Sequence, residues 1–453
     1  MFKKIEIWFL YLVLVVFFII LILFGGILRH HYLGGEKFKL IRSVSVFIAE
    51  IPYNFKRIIQ LADDPGRYFL DESNRFKNEP KSKIFLNSKQ EGILLLSRYD
   101  DDIKKFVVEV VDLENFQVIH RYVPNSQELI KSVSYKKKDE FKEIPKQISK
   151  ERLFVWHPYL EENGELIFNS SSPLFKIDFC SNLIWTMDNN YYHHSIEIDH
   201  ENNYWVPSIL NPSLIKDENY KDYAGDDGIT KISSDGKLLL EKSVAQILID
   251  NGYKHLLFSQ LKYDEDVIHL NDIQPVLVDG AYWKRGDIFL SLRSISTVFL
   301  YRPSTNKIIK MLRSPYFSYQ HDVDIINNKT IYIFNNNLFN TRNGQKIFTK
   351  SEIISYDFEL DKYTKMYDQT FENHNIKTAF GGLYQRLENG SFIVEEQEHG
   401  RLLFFNKDEK LIWQFVNKSA DNKVYVMRWS RIVEDKKTIQ NFKKLIREKK
   451  CTN

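Results

Sequence analysis

The sequence predicts an all-β chain, a six-bladed β-propeller preceded by one N-terminal transmembrane helix. Three observations carry that expectation. Aromatic residues are 14% of the 453, with 33 Phe and 25 Tyr, and such side chains favour the pleated, half-buried surface of strands. One apolar run near the N-terminus is long enough to span a bilayer. The rest reads as a four-strand unit laid down six times without intervening helices. Such a unit buries its faces only against neighbours, so the series closes into a ring.

Length alone would give two or three domains; the repeat makes one propeller of residues 91–433. Net charge is +3, from 63 basic and 60 acidic residues, so there is no polyanion-binding signature and nucleic acid is not an expected partner. The two cysteines, Cys180 and Cys451, lie far apart, the second in a charged tail. They predict neither a disulfide framework nor a Cys-based metal site.

In chain order, residues 1–6 form a short N-terminus carrying Lys3 and Lys4, expected in the cytoplasm. Residues 7–28, Ile7 to Leu28, form the anchor. The run is longer than a signal-peptide core and no A-x-A site follows, so it predicts an uncleaved span. Arg29, Lys37, Lys39 and Arg42 put positive charge after it as well, which weakens the charge asymmetry that sets orientation. The bulk of the chain is placed in the periplasm or outside the cell. Residues 29–90 read as a juxtamembrane segment and linker, loosely amphipathic over 39–60 and broken by Pro52.

The six units run Gly92–Val123, His157–Asp188, His194–Ser243, His269–Arg313, His321–Asp368 and Gly382–Asn417. Each is read as an inner strand, a turn, two further strands, an Asp- or Asn-containing turn and an outer strand. The segment VYVMRWSRIV, Val424 to Val433, is read as a strand that helps close the ring. Residues 434–453 form a basic, helix-compatible tail, expected to present a solvated face.

Repeat phase turns position into space. His157, His194, His269 and His321 each open an inner strand in four consecutive units, and equivalent inner-strand positions lie at one height around a propeller axis. Four imidazoles therefore converge on one channel mouth, and Arg293, ending the second strand of unit four, reaches the same place. His193 alternates to the other side of its strand. Glu197, Asp272 and Asp324, three residues after their histidines, also fall on the opposite side, as packing groups or acceptors behind the ring. His200, His255, His374 and His399 are out of phase. Neutral imidazoles with a guanidinium fork suit a tetrahedral oxyanion. Four histidines from separate blades also suit a metal, although Arg293 would repel a cation; no metal is expected.

At these residues the sequence resembles the bacterial aryl sulfotransferases that need no nucleotide sulfate donor. The likeness covers roughly residues 150–430, and it is strongest over 190–420. It rests on the phased histidines, HLND at His269, SLR at Arg293, the His321 segment leading to IFNNN, and GGLYQRLENGSFIVEEQEHGR in unit six. The family's FDNG turn stands here as FNNN, Phe334 to Asn337, and an insert around Tyr282 to Arg285 stretches the spacing from His269 to Arg293. The resemblance implies ping-pong transfer of a sulfuryl group from an aryl sulfate to a phenol. His321 matches the nucleophilic histidine. His194, His269 and Arg293 match residues that hold sulfuryl oxygens and assist proton transfer. No catalytic role is carried onto His157. The chain has no GxxxxGK[ST] and no GxGxxG, so no nucleotide donor and no cofactor is expected. Two other readings stand beside this one. The first is a non-catalytic propeller that binds an anionic ligand or a protein; the second is a histidine-ligated metal enzyme.

Overall fold

The computed structural model describes residues 6–32, 41, 44–49, 51–52, 69–70, 75–86, 90–134, 153–170, 172–217, 225–258, 266–313, 315–341 and 344–451. They fall into two units, Met1–Arg67 and Tyr68–Asn453. The first contains the helix Ile7–Tyr32, which is long and apolar enough to cross a membrane. Its Leu, Ile, Val and Phe side chains are exposed all round. Residues 44–49 are helical; most of the amphipathic stretch expected over 39–60 lies outside the described residues.

The second unit is a six-bladed propeller. Blades two, four and five follow the repeat as read. Blade four runs Leu270–Pro275, Ile288–Leu292, Thr297–Arg302 and Lys307–Arg313, paired antiparallel in sequence order. Burial falls off radially, which explains the residue choice. Ile288–Leu292 is buried at every position because both faces meet neighbouring blades, whereas Lys307–Arg313 alternates exposed and covered at the rim. Polar turns close the hairpins as expected. Asp178 Oδ1 accepts from the amides of Cys180 and Asn182, and Asn406 Oδ1 from those of Asp408 and Lys410, which lets these side chains stand in for backbone partners.

Unit one departs from the reading. Ile93–Asp100 is the second strand of its blade, not the inner one. The inner strand is Arg431–Val433, paired Ile93↔Val433, Leu94↔Ile432 and Leu95↔Arg431. The late segment thus does close the ring, by completing the blade that unit one leaves a strand short. Blade six gains a fifth, outermost strand, Ser82–Ile84, from the stretch expected to be linker, and Phe76 of the same stretch is buried with Val416 and Val424.

The basic tail is not a solvated face. Lys436–Glu448 is a helix capped by Asp435, whose carboxylate accepts from the Thr438 amide at 2.8 Å. Ile439, Phe442, Leu445 and Ile446 fall on one side and pack into the core of blades one and two, with Phe442 fully buried. Its ring meets His120 at 5.6 Å and Phe179 at 5.5 Å between centroids. Beyond the helix, Cys451 forms a disulfide with Cys180 of blade two. The sequence reading, which kept these cysteines apart, is corrected here. Ring closure puts the start of the helix beside blade one, so a separation of 271 residues along the chain becomes a neighbouring position in space.

Candidate active site

Each inner strand begins with a kink. His157, His194, His269, Gly382 and Trp429 all have positive φ, at 48°, 57°, 53°, 98° and 61°. Left-handed backbone is costly for residues with a Cβ, and its recurrence at one phase of five blades marks a built feature of the channel mouth. Blade five places its kink two residues earlier, at Tyr319 with φ 54°. Carboxylates from neighbouring strands hold the kinked amides. Asp227 accepts from the backbone N–H of His269 and Leu270 at 3.3 and 3.0 Å. Glu395 accepts from those of Trp429 and Ser430 at 2.6 and 2.7 Å. Burial pushes both carboxyls up, to about 7.

The four phased histidines do converge. His194 is central, its ring 5.1 Å from His269, 5.9 Å from His321 and 6.4 Å from His157. All four, with Arg293, line one cavity of about 1070 Å³, at the upper end of ligand-binding cavities. Its walls include Trp156, Tyr191, Phe380 and Trp429, aromatic faces suited to flat rings. His157 lies against Trp429, ring centroids 3.6 Å apart. Among the described residues no group of three or more His, Cys, Asp or Glu is arranged to hold a metal ion.

His193 is placed differently from expectation. It lines the same cavity, and its Nδ1 lies 2.6 Å from Nδ1 of His194. The positive φ at His194 interrupts the inner strand between Tyr191–Tyr192 and Glu197–Ile198, so strict alternation fails at that point. Glu197, Asp272 and Asp324 do fall behind the ring. Glu197 pairs with Arg431 at 2.6 Å, and Asp272 accepts from the Val323 amide at 3.1 Å. The out-of-phase histidines, His200, His255, His374 and His399, do not line the cavity.

Arg293 follows the second strand of blade four, and its amide donates to the His269 carbonyl at 2.9 Å. Its guanidinium lies over the rings of Tyr319 and Phe380, 5.0 and 5.2 Å from their centroids, and donates to Gln345 Oε1 at 3.0 Å. Gln345 belongs to a hairpin, Leu338–Thr341 with Gly344–Ile347, inserted between the second and third strands of blade five. His269 Nδ1 is paired with the Asp266 carboxylate. Burial alone would push that carboxyl up, but the bond and charge of His269 hold it below the usual range.

His321 is 3% exposed. Burial, then the neighbouring Arg293, hold its imidazole well below the usual value. Nδ1 lies 2.8 Å from Asn336 Oδ1, and Nε2 accepts from the Gly381 amide at 3.0 Å. Gly381 has φ 68°, and a Cβ there would run into the Gln397 side chain. Glycine takes this conformation without the strain and the clash that a Cβ would bring. Reading the sequence missed Asp266, Asn336 and Gly381. Asn336 and Gly381 sit inside the FNNN and GGLYQR motifs that carried the resemblance, and Trp429 holds the phase position of unit one.

Comparison with known proteins adds the family. The model for arylsulfotransferases (ASST) matches residues 157–418, more than half of the chain. The chain belongs to the arylsulfotransferase family. The matched segment runs from the first phased histidine through blade six, so it contains His157, His194, His269, Arg293 and His321. No curated protein matches the chain. Solved structures resemble it at lower levels. A Bacteroides caccae protein of unknown function is 9% identical, with TM-score 0.45, covering 76% of this chain and all of its own. A catalytically inactive virginiamycin B lyase from Staphylococcus aureus, solved with quinupristin, is 10% identical with TM-score 0.33, over 57% of this chain and 69% of its own. The WD40 propeller domain of Doa1 is 11% identical with TM-score 0.37, over 77% and 91%. At these scores they add nothing to the family match.

Proposed function

We propose that this chain is a membrane-anchored, extracytoplasmic sulfotransferase. It moves a sulfuryl group from an aryl sulfate to a phenol by a ping-pong route through a sulfohistidine on His321. The observation that carries the reading is the meeting of His194, His269, Arg293 and His321 at one aromatic-walled cavity within the family-matched segment.

His321 Nε2 attacks the sulfur of the aryl sulfate. The N–S bond forms as the S–O bond to the aryl group breaks, and the aryl oxide departs. His269, whose Nδ1 faces Asp266, hands a proton to that oxide. It takes a proton back from the acceptor phenol, whose oxygen then attacks sulfur and breaks the N–S bond. Covalent capture divides one difficult transfer into two easier ones. Arg293 and His194 hold the sulfuryl oxygens as charge shifts onto them, and the aromatic walls take the aryl groups of donor and acceptor in turn. A buried imidazole kept neutral is a competent nucleophile, which supports the assignment of His321.

The exposed apolar helix Ile7–Tyr32 supports a membrane anchor, and the basic Lys3 and Lys4 support a cytoplasmic N-terminus. The Cys180–Cys451 disulfide supports a propeller in an oxidising compartment, a periplasm or the cell exterior.

The test uses the full-length protein in detergent, a chromogenic aryl sulfate and a phenol acceptor. Acceptor-dependent release of colour is expected, falling by at least about a thousandfold in His321→Ala while circular dichroism still reports a folded propeller. Wild-type rates in that variant would remove His321 as nucleophile. No transfer by the wild type would remove the enzyme reading.

A further inference from the structure

We propose that Asn336 is a positioning residue that fixes His321 as its Nδ1–H tautomer, so that the lone pair for attack lies on Nε2, where the Gly381 N–H holds it until a bound aryl sulfate displaces that contact. The inference rests on the sulfotransferase reading for its consequence, but its geometry stands alone.

The orientation of an asparagine amide must be settled from its partners, and here the partners settle it. Asn336 Nδ2 donates to the carbonyls of Thr378 and Gly381, at 2.9 and 2.8 Å. Turning the amide over would set its oxygen against two carbonyl oxygens in a fully buried site. Oδ1 therefore faces His321 Nδ1 at 2.8 Å, and an amide oxygen only accepts. The Nδ1 must carry the proton. A second contact demands the same state independently. The Gly381 N–H lies 3.0 Å from Nε2, and it can donate only to a nitrogen with a lone pair. Two donors and two acceptors thus agree on one tautomer, the reverse of the form that free histidine prefers in water.

The arrangement has a chemical use. When Nε2 bonds to sulfur the ring becomes cationic, and its Nδ1–H then donates to Oδ1 as a charge-assisted hydrogen bond, stronger than the neutral one. The other polar groups facing the ring are Arg293, His269, His194 and the backbone carbonyl of Tyr319; that carbonyl is a second acceptor, and Asn336 is the side chain whose oxygen faces Nδ1 at 2.8 Å. Asn336 also ties the 378–381 loop to the ring, so the amide that caps Nε2 at rest moves with the residue that orients it. A wrong tautomer can cost a catalytic histidine about 10⁴-fold in kcat. That magnitude makes a purely structural role easy to separate from a positioning one.

The test uses the full-length protein in detergent with 15N-labelled histidine, His321 being identified by the resonances lost in His321→Gln. At neutral pH the wild type is expected to show a protonated Nδ1 and an unprotonated Nε2; an Nε2–H form would overturn the proposal. Asn336→Leu removes the acceptor and is expected to lose the single Nδ1–H form, and to lower kcat by at least about a hundredfold with KM moving less than about threefold. Asn336→Asp keeps an acceptor at Nδ1 but sets its second oxygen against the carbonyls of Thr378 and Gly381; it is expected to keep the Nδ1–H form while losing rate. A leucine variant with both the Nδ1–H form and wild-type kcat would overturn the proposal. If the wild type shows the Nδ1–H tautomer, its loss in the leucine variant and no transfer at all, the positioning stands and the sulfotransferase reading falls.

Discussion

His157, His194 and His321 shed water as they enter the channel mouth, and burial, with neighbouring cations or imidazoles next, holds each well below its usual value; His193 is pushed down to about 3. The charged form of each is the one disfavoured, so these rings stay neutral in acid that would protonate an exposed histidine. The proposed nucleophile, which must be neutral to attack, then gives a definite pH dependence. The acidic limb of kcat/KM, which reports the free enzyme, is expected below about pH 6.5, the ordinary imidazole value. A limb at or above that value would contradict the buried-ring account. Melting is the poorer readout. As pH falls below about 6.5 the unfolded chain takes up protons that the folded histidines refuse, which destabilises the fold by about 1.4 kcal/mol per group per pH unit. Asp227, Asp272 and Glu395, raised to about 7 in the fold, act in the opposite sense. They contribute stability that is present in acid and lost as pH rises through 7, so the two sets offset each other.

Single elements divide into those legible in the sequence and those that were not. Inner strands could be found because alternation and polar turns recur unit by unit, and the phased histidines followed from the same register. Two kinds of element escaped. Alternation predicts the wrong face for His193 because it holds only while the strand is continuous, and the kink at His194 breaks it. From sequence the C-terminal helix reads as a solvated tail because its basic residues outnumber its apolar ones. Yet Ile439, Phe442, Leu445 and Ile446 form a stripe of one helical face that the core of blades one and two covers. The disulfide at its end gives that docking a measurable weight. Cys180→Ser is expected to lower the stability of the propeller by about 2–5 kcal/mol, the usual effect of removing a native cross-link, read as a fall in the unfolding midpoint under non-reducing conditions. An unchanged midpoint would mean that helix packing alone anchors the tail.

At the scale of the whole molecule, ring closure is the feature that no local pattern announces. Unit one lacks its own inner strand, and Arg431–Val433 supplies it from the far end of the chain. This brings Trp429 into phase with His157, His194 and His269 and completes the wall that the sequence left without a first member. The same closure sets the tail beside Cys180, which is why cysteines at opposite ends of the domain meet. Repetition made the blades and the histidine convergence readable; long-range pairing left the closing strand's place, the disulfide and the Asn336–Gly381 brace to the structure. The proposed mechanism centres on His321 Nε2, the atom assigned to carry the sulfuryl group. The most direct measurement is a single-turnover labelling with a 35S-labelled aryl sulfate in the absence of acceptor. The account predicts an acid-labile label on the peptide containing His321, discharged when phenol is added. Transfer to phenol that proceeds with no label on His321, or with the label on another residue, would contradict it.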